Sequence, residues 1–277
     1  MSILRIIWHA PAGRLGMLLA LAVLGFALLG PVLSPYDPAG IKVAERFAGP
    51  SWAHLFGTDQ LGRDLATRLA VATRLALGLA IGTVALALAG GVALGAAAAF
   101  AGKWTARAIL IGFDLLAAFP SLILALAVIA ALGPGLGRLV PIIAASLLPH
   151  FGRIARAQAL GFRHSAFVEA ERALGAGTGR ILLWHVLPNM LGPLIVLVSM
   201  DLPVVVTLEA GLSFLGLGVP PPLASLGTLL NDGYATLGRS PGPVIAAAAV
   251  LAIMTLGFTL VGEALRDAID PRQRSMA

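Results

Sequence analysis

Residues 15–36 contain no charged side chain, and neither do residues 75–102, 115–137 and 240–262. A helix needs about 20 apolar residues to cross the hydrocarbon core of a bilayer. Each of these windows is long enough. In lipid, every backbone amide must find its partner inside the segment, so the windows predict helices. Two further windows are weaker. Residues 139–152 stop short at Arg153, but arginines at a helix end can snorkel to the interface. Residues 181–208 are long but include His185, Pro188, Pro193, Asp201 and Pro203. The expectation is an all-α polytopic membrane protein with six transmembrane helices.

Composition supports lipid as the main solvent. The chain is 58% hydrophobic and 12% charged over 277 residues, whereas soluble domains are near 25% charged. Glycine and alanine are abundant, which suits close helix packing in a bilayer. Gly78/Gly82 and Gly91/Gly95 in the second window predict such a packing face. The net charge of +6 does not point to nucleic acid, because the basic residues form no block. The absence of cysteine excludes disulfides and thiolate chemistry. The five histidines are scattered without metal-site spacing, so no metal is expected.

The first window follows Arg5 and Arg14 as a secretory signal would, but its length favours an uncleaved anchor. With six spans and a cytoplasmic N-terminus, twelve of the 19 lysines and arginines fall inside. This bias predicts that both termini are cytoplasmic. The resulting organisation is a cytoplasmic segment 1–14, a first span 15–36, and an external loop with an approach helix 37–74. A five-helix core 75–262 follows, with a cytoplasmic loop 153–187 and an external loop 209–239. A cytoplasmic tail 263–277 closes the chain. In the first external loop, Asp59, Arg63 and Asp64 are placed to make local ion pairs, and a solvated loop is expected over a direct substrate role.

The segment "FVEAERALGAGTGRILLWHVLPN" (167–189) is polar between two apolar windows. Ser165 is a candidate N-cap, and Glu169 and Glu171 lie early, where they suit the helix dipole. Phe167, Ala170 and Leu174 share one face, and Gly175 and Gly177 are candidate left-handed terminators. So short a helix is not stable alone in water. An amphipathic helix of this kind fits a groove on another protein.

Glu169-Ala170, Gly175 and Leu187-Pro188 are spaced as in the "EAA" loop of ABC importer permeases, which this segment resembles. Glu171 stands where that family usually has alanine, and His185 where the general pattern has isoleucine. A histidine before "VLPN" resembles the oligopeptide, dipeptide and nickel branch. "FGTDQLGRDLATRL" (56–69), "FDLLAAFPSLILAL" (113–126), "LGPGL" (132–136), "LEAGLSFLGLGVPPP" (208–222), "LNDG" (230–233) and "EALRDAIDPR" (263–272) resemble its C-type permease in order and spacing.

The resemblance implies a type I importer fold. It implies that Phe167, Glu169, Ala170, Leu174, Gly175, Leu187 and Pro188 couple the chain to an ATPase. The implied partners are a second homologous permease, two ATP-binding subunits and an extracytoplasmic solute-binding protein. The implied location is the bacterial inner membrane. The chain has no G-x-x-x-x-G-K-[ST] loop, so ATP and Mg are expected on the partner subunits, with no cofactor on this chain.

Acids inside membrane segments need a partner or a wet cavity, because a charge at the bilayer centre costs roughly 2.5–3.5 kcal/mol on insertion scales. Asp114 and Glu209 recur in family-like strings and are expected to pair with neighbouring helices. Asp201 stands where the family tends to have small apolar residues. It is the candidate pathway contact, with Pro203 and Glu209 beside it. Pro188, Pro193 and Pro203 are expected to interrupt the fifth span, giving either a kinked helix or a moving gate. The leading function is a permease of an ATP-driven importer for peptides or similar small solutes. The alternatives are a nickel or metal-chelate importer permease and, in another class, a proton-coupled secondary transporter. The paired inverted halves expected of the last are not evident.

Overall fold

The computed structural model describes residues 3–220 and 222–269. Among them the regular structure is helical, with one isolated antiparallel bridge between Thr58 and Asp64. The helices are α1 (Ile3–His9), α2 (Pro11–Leu33), α3 (Leu65–Phe100), α4 (Lys103–Ala117), α5 (Ser121–Leu132), α6 (Leu136–Phe162), α7 (Ala166–Ala173), α8 (Thr178–Arg180), α9 (Leu187–Phe214), α10 (Leu226–Ala235) and α11 (Gly242–Ile269).

Among the described residues, four helical stretches are long and apolar enough to cross a membrane: Pro11–Leu33, Leu65–Phe100, Thr178–Phe214 and Gly242–Ile269. They match four of the expected windows. The expected span at 115–137 is not one straight helix. α4 and α5 meet at an angle of 84°. The break is physical: Pro120 disfavours helical geometry at Phe119, and Gly133 at φ 82° terminates α5 after 12 residues. The expected short span 139–152 lies within α6. That helix is 27 residues long, about 40 Å, and carries Arg138, Arg153 and Arg156.

Helices also run past the expected boundaries. The approach helix is continuous with the second span as α3. α6 takes the first ten residues of the expected loop 153–187, and α9 extends to Phe214 inside the expected loop 209–239. Segment 1–14 holds α1, which packs beside α11. α11 carries the expected tail as helix to Ile269, and residues 270–277 lie outside the described residues.

α3 is the central element and packs most extensively on α6. Their crossing needs glycine. A Cβ at Gly95 would lie 2.1 Å from the Gly152 carbonyl oxygen, and one at Gly91 would lie 2.6 Å from Phe151 Cβ. On the other side, Phe113 of α4 presses on Gly152, where a Cβ would meet its ring at 2.3 Å. Gly91/Gly95 therefore form the expected packing face. Gly78 and Gly82 do not, because nothing lies within 4 Å of a Cβ at either. The main core runs through α2, α3, α5, α6, α9, α10 and α11, with Leu69, Ile129, Leu139, Phe151, Leu212 and Met254 almost fully enclosed.

α9 runs through Pro193 and Pro203 as one continuous helix, each proline leaving its own donor place in the hydrogen-bond ladder empty. A further irregularity lies at residues 181–186, a π-helical turn that ends two residues before Pro188. The Leu187 N–H reaches back to the Leu182 carbonyl. That wider turn lets the chain enter α9 through a proline, which has no N–H to give and crowds a regular α-turn.

Candidate coupling segment and membrane acids

α7 sits at one end of the bundle, below the close of α3 and α6. Its N-cap position is Ser165, but the hydroxyl does not cap the helix. It donates back to the Phe162 carbonyl at 2.7 Å. The other end is closed as expected at Gly175. With Gly175 at φ 82°, the Ala176 N–H bonds Glu171 O and the Gly175 N–H bonds Arg172 O, both at 2.9 Å. This double closure is a Schellman motif. Gly177 plays a different part. It is extended and precedes α8.

One residue fixes α7 to its own chain. Val168 is fully enclosed in a second apolar cluster with Ala99, Ala155, Ala159, Ile181, Val186, Met190 and Leu194. Two polar ties support it. Arg172 lies over the Phe100 ring at 5.7 Å, and His185 Nε2 is 3.3 Å from Glu171 Oε1. Arg163 Nη1 donates to Ala99 O at 2.9 Å, satisfying a carbonyl of the last turn of α3. The two departures from the family pattern, Glu171 and His185, are therefore partners. Their pairing links α7 to the π-helical turn.

The opposite face of α7 is open. Phe167, Glu169 and Ala170 are exposed, and Leu174 is 83% exposed. Trp184 and Leu183 of the π-helical turn are exposed beside them. Gly175 and Pro188 are exposed, and Leu187 is half-buried. The sequence pattern identified the open face but missed Val168, which falls between its members and does the anchoring.

The membrane acids occupy three settings. Asp114 accepts from Arg153 Nη2 at 2.8 Å, joining α4 to α6 as expected for a helix pair. Asp201 is buried near the middle of α9, and its Oδ2 lies 3.4 Å from His150 Nδ1 of α6. His150 is itself half exposed, so the buried acid reaches the protein surface through an imidazole. The sequence does not point to His150, because nothing local marks it as a partner for a residue 51 positions away. Glu209 finds no cationic partner among the described residues. It accepts a 2.6 Å hydrogen bond from Ser213 Oγ, which in turn accepts from the Val219 N–H at 3.2 Å. Glu209 thus ties α9 to the turn after it, and Pro203 is buried on the same helix.

At the opposite end, residues 34–64 form a loop that is solvated over much of its surface but built around a buried polar cluster. Asp59 is only 2% exposed. It accepts from the backbone N–H groups of Leu61 and Arg63 and from Arg63 Nε at 2.7 Å, and lies 3.5 Å from Arg68 Nε. Asp64 caps α3 through the Thr67 N–H at 2.7 Å and holds His54 Nδ1 at 2.9 Å. Asp232 of α10 approaches both Arg63 and Arg68 at about 4 Å. Of the local ion pairs expected here, Asp59–Arg63 forms, while Asp64 serves as a cap and histidine partner.

Residues 91–275 match the family described as binding-protein-dependent transport system inner membrane component. The chain belongs to that family. Relatives extend the match to almost the full length. A dipeptide transport system permease protein of Alkalihalophilus pseudofirmus is 36% identical over 94% of this chain and 86% of its own length. An oligopeptide transport system permease protein of Bacillus subtilis is 34% identical, over 94% of this chain and 85% of its own. A glutathione transport system permease protein of Pectobacterium atrosepticum is 34% identical, over 93% and 86%. This family member is a membrane-embedded transport subunit that works with ATPase and binding-protein partners.

Proposed function

We propose that this chain is the C-type permease of an ATP-driven importer of dipeptides, oligopeptides or similar small solutes. It crosses the bacterial inner membrane six times, with both termini cytoplasmic, as a type I importer permease. The bent α4–α5 pair and α6 supply the third and fourth crossings, in that order. It pairs with a second homologous permease, two ATP-binding subunits and an extracytoplasmic solute-binding protein. ATP and Mg act on the partner subunits.

The observation that carries this reading is the open face of α7. Phe167, Ala170 and Leu174 are left exposed on a helix whose other side is pinned by Val168. Such a face fits an ATPase groove, with Glu169 as its charged contact. When the ATPase dimer closes on ATP, α7 moves with it and carries the π-helical turn and α9. The cavity then opens outward, and hydrolysis resets it. The driving free energy comes from contacts that differ between the two states.

Asp201 acts on the pathway through His150. The Asp201–His150 pair places two polar groups near mid-bilayer, where they require water or a polar solute. Pro203 and Glu209 hold α9 in shape behind them. Relatives named for dipeptide, oligopeptide and glutathione transport support small peptides as cargo over metal chelates.

The test is transport-coupled ATPase activity of the assembled complex with Glu169→Lys or Gly175→Leu. Both variants should uncouple hydrolysis from uptake. Full coupled activity in both would sink the coupling role. Uptake by the chain alone, driven by a proton gradient, would sink the ABC reading itself.

A further inference from the structure

The loop end of the molecule carries an apolar tip that the permease reading does not use. Residues 47–58 contain no ionisable side chain except His54, although charged residues flank them on both sides. His54 is turned inward, held by Asp64 and by Glu45 at 3.2 Å. The neck of the loop is closed by the Thr58 N–H on Ala48 O at 3.0 Å and by the Ala48 N–H on Thr58 Oγ1 at 2.8 Å. Gly57, at φ 76°, is required there, since a Cβ would meet Ala48 O at 2.5 Å. The loop is therefore a defined structure. Yet Trp52 is 99% exposed, and Leu55 and Phe56 project beside it.

α2 supplies a depth scale. From Leu15 to Leu33 its apolar stretch measures about 28 Å at 1.5 Å per residue, which matches a hydrocarbon core of about 30 Å. Phe56 packs on Phe26 with ring centroids 6.3 Å apart. Phe26 lies seven residues, or about 10 Å, inside the end of α2. Phe56 also shares an apolar groove of about 190 Å³ with Ala22, Val23, Val250 and Ile253 of α2 and α11. The loop tip therefore continues the outward-facing apolar surface of α2, where Leu28, Leu29, Val32 and Leu33 are exposed. Tryptophan is enriched at membrane interfaces because its apolar ring and N–H suit the headgroup boundary.

We propose that the loop tip Trp52–Leu55–Phe56 inserts into the lipid leaflet at its end of the bundle. Trp52 sits at the headgroup–acyl boundary, and Leu55 and Phe56 extend α2's lipid contact. The occupant is bilayer lipid because the tip is continuous with a lipid-facing helix and carries no charge. The anchor fixes the height of the whole 34–64 loop above the bilayer.

The chain has no cysteine, so single labels are unambiguous. Nitroxide labels at Ala53→Cys, Leu55→Cys, Leu29→Cys and Lys42→Cys are compared in the assembled transporter, its other subunits made cysteine-free. The membrane is phosphatidylethanolamine–phosphatidylglycerol vesicles. Relaxation by oxygen reports lipid exposure, and relaxation by a water-soluble nickel chelate reports aqueous exposure. Labels at 53 and 55 should follow Leu29→Cys, favouring oxygen, while Lys42→Cys favours the chelate. Adding Trp52→Asp should shift the 55 label toward the chelate. If 53 and 55 behave like 42, the tip is solvated and the proposal falls. If they are shielded from both reagents, another subunit covers the tip, and the proposal falls equally. An aqueous reading at 29 would overturn the depth scale and the anchor with it.

Discussion

The two ends of this protein hold similar numbers of polar side chains and use them in opposite ways. At the loop end, Asp59, Asp64, Arg63, Arg68 and His54 meet oppositely charged or polar partners within the chain and are largely buried. At the α7 end, one valine, one histidine–carboxylate contact, one ring contact between Phe162 and Phe167 and one cation–π contact hold a helix whose remaining face is open. The first region is finished by its own sequence. The second is left open, and under the proposed coupling role another protein completes it. Burial of charge separates a structural region from a docking region here more clearly than the presence of charge does.

That contrast can be broken most sharply at Asp59. Asp59→Ala would leave Arg68 buried beside no carboxylate of its own loop. Removing one partner of a buried pair costs about 3–5 kcal/mol. Thermal unfolding of the purified chain in detergent should register this, and an unchanged midpoint would mean that the loop end is not self-sufficient. Next comes Asp64→Ala, which deletes the cap of α3 at a cost of about 1–2 kcal/mol, read by the same measurement.

The Glu171–His185 pair should contribute much less to stability. Both side chains are about a quarter to a third exposed, so solvent screening holds the pair to about 0.5 kcal/mol. Its removal should act on coupling. Glu171→Ala, His185→Ala and the double variant should each lower solute moved per ATP. The double variant should be no worse than either single one, and additive losses would refute the pairing. Smallest in stability is Leu174→Asp, expected within about 0.5 kcal/mol of the parent because the site is 83% exposed, while Phe167→Asp costs more because its ring packs on Phe162 at 6.0 Å. The same two changes should abolish co-purification of the ATPase. Retained co-purification would remove the reason to treat this end as unfinished.

Features set by local chemistry are legible in the sequence. Three charge-free windows mark long apolar helices, the Phe167/Ala170/Leu174 period marks the open face, and Gly175 marks the left-handed stop. Features set by contacts between distant residues are not legible in the same way. Asp201 stands out as an oddity, but its partner His150 lies on another helix. Glu171 and His185 each depart from the family pattern without showing that they depart together. The α4–α5 bend escapes the pattern because an apolar run reads the same whether straight or folded, and Pro120 is its one local sign. Ser165 fails as a cap because its hydroxyl has a nearer acceptor in the preceding turn, the competition expected of serine beside free carbonyls.

α3 joins the two contrasting ends in one piece. Its first residue follows the Asp64 cap, and its last turn is held by Arg163 next to α7. Between them it is gripped tightly at Gly91 and Gly95, far from its middle. If that grip, centred on Ala93, is a fulcrum, the short arm to Phe100 is about 10 Å and the long arm to Leu65 about 42 Å. Displacement is then multiplied about fourfold, so a nudge of about 1 Å beside α7 would swing the far end by several ångströms. Label-to-label distances at both ends, with and without ATP, would measure that ratio, and equal displacements would rule the fulcrum out. On this geometry, the off-centre glycines make α3 an amplifier as well as a strut.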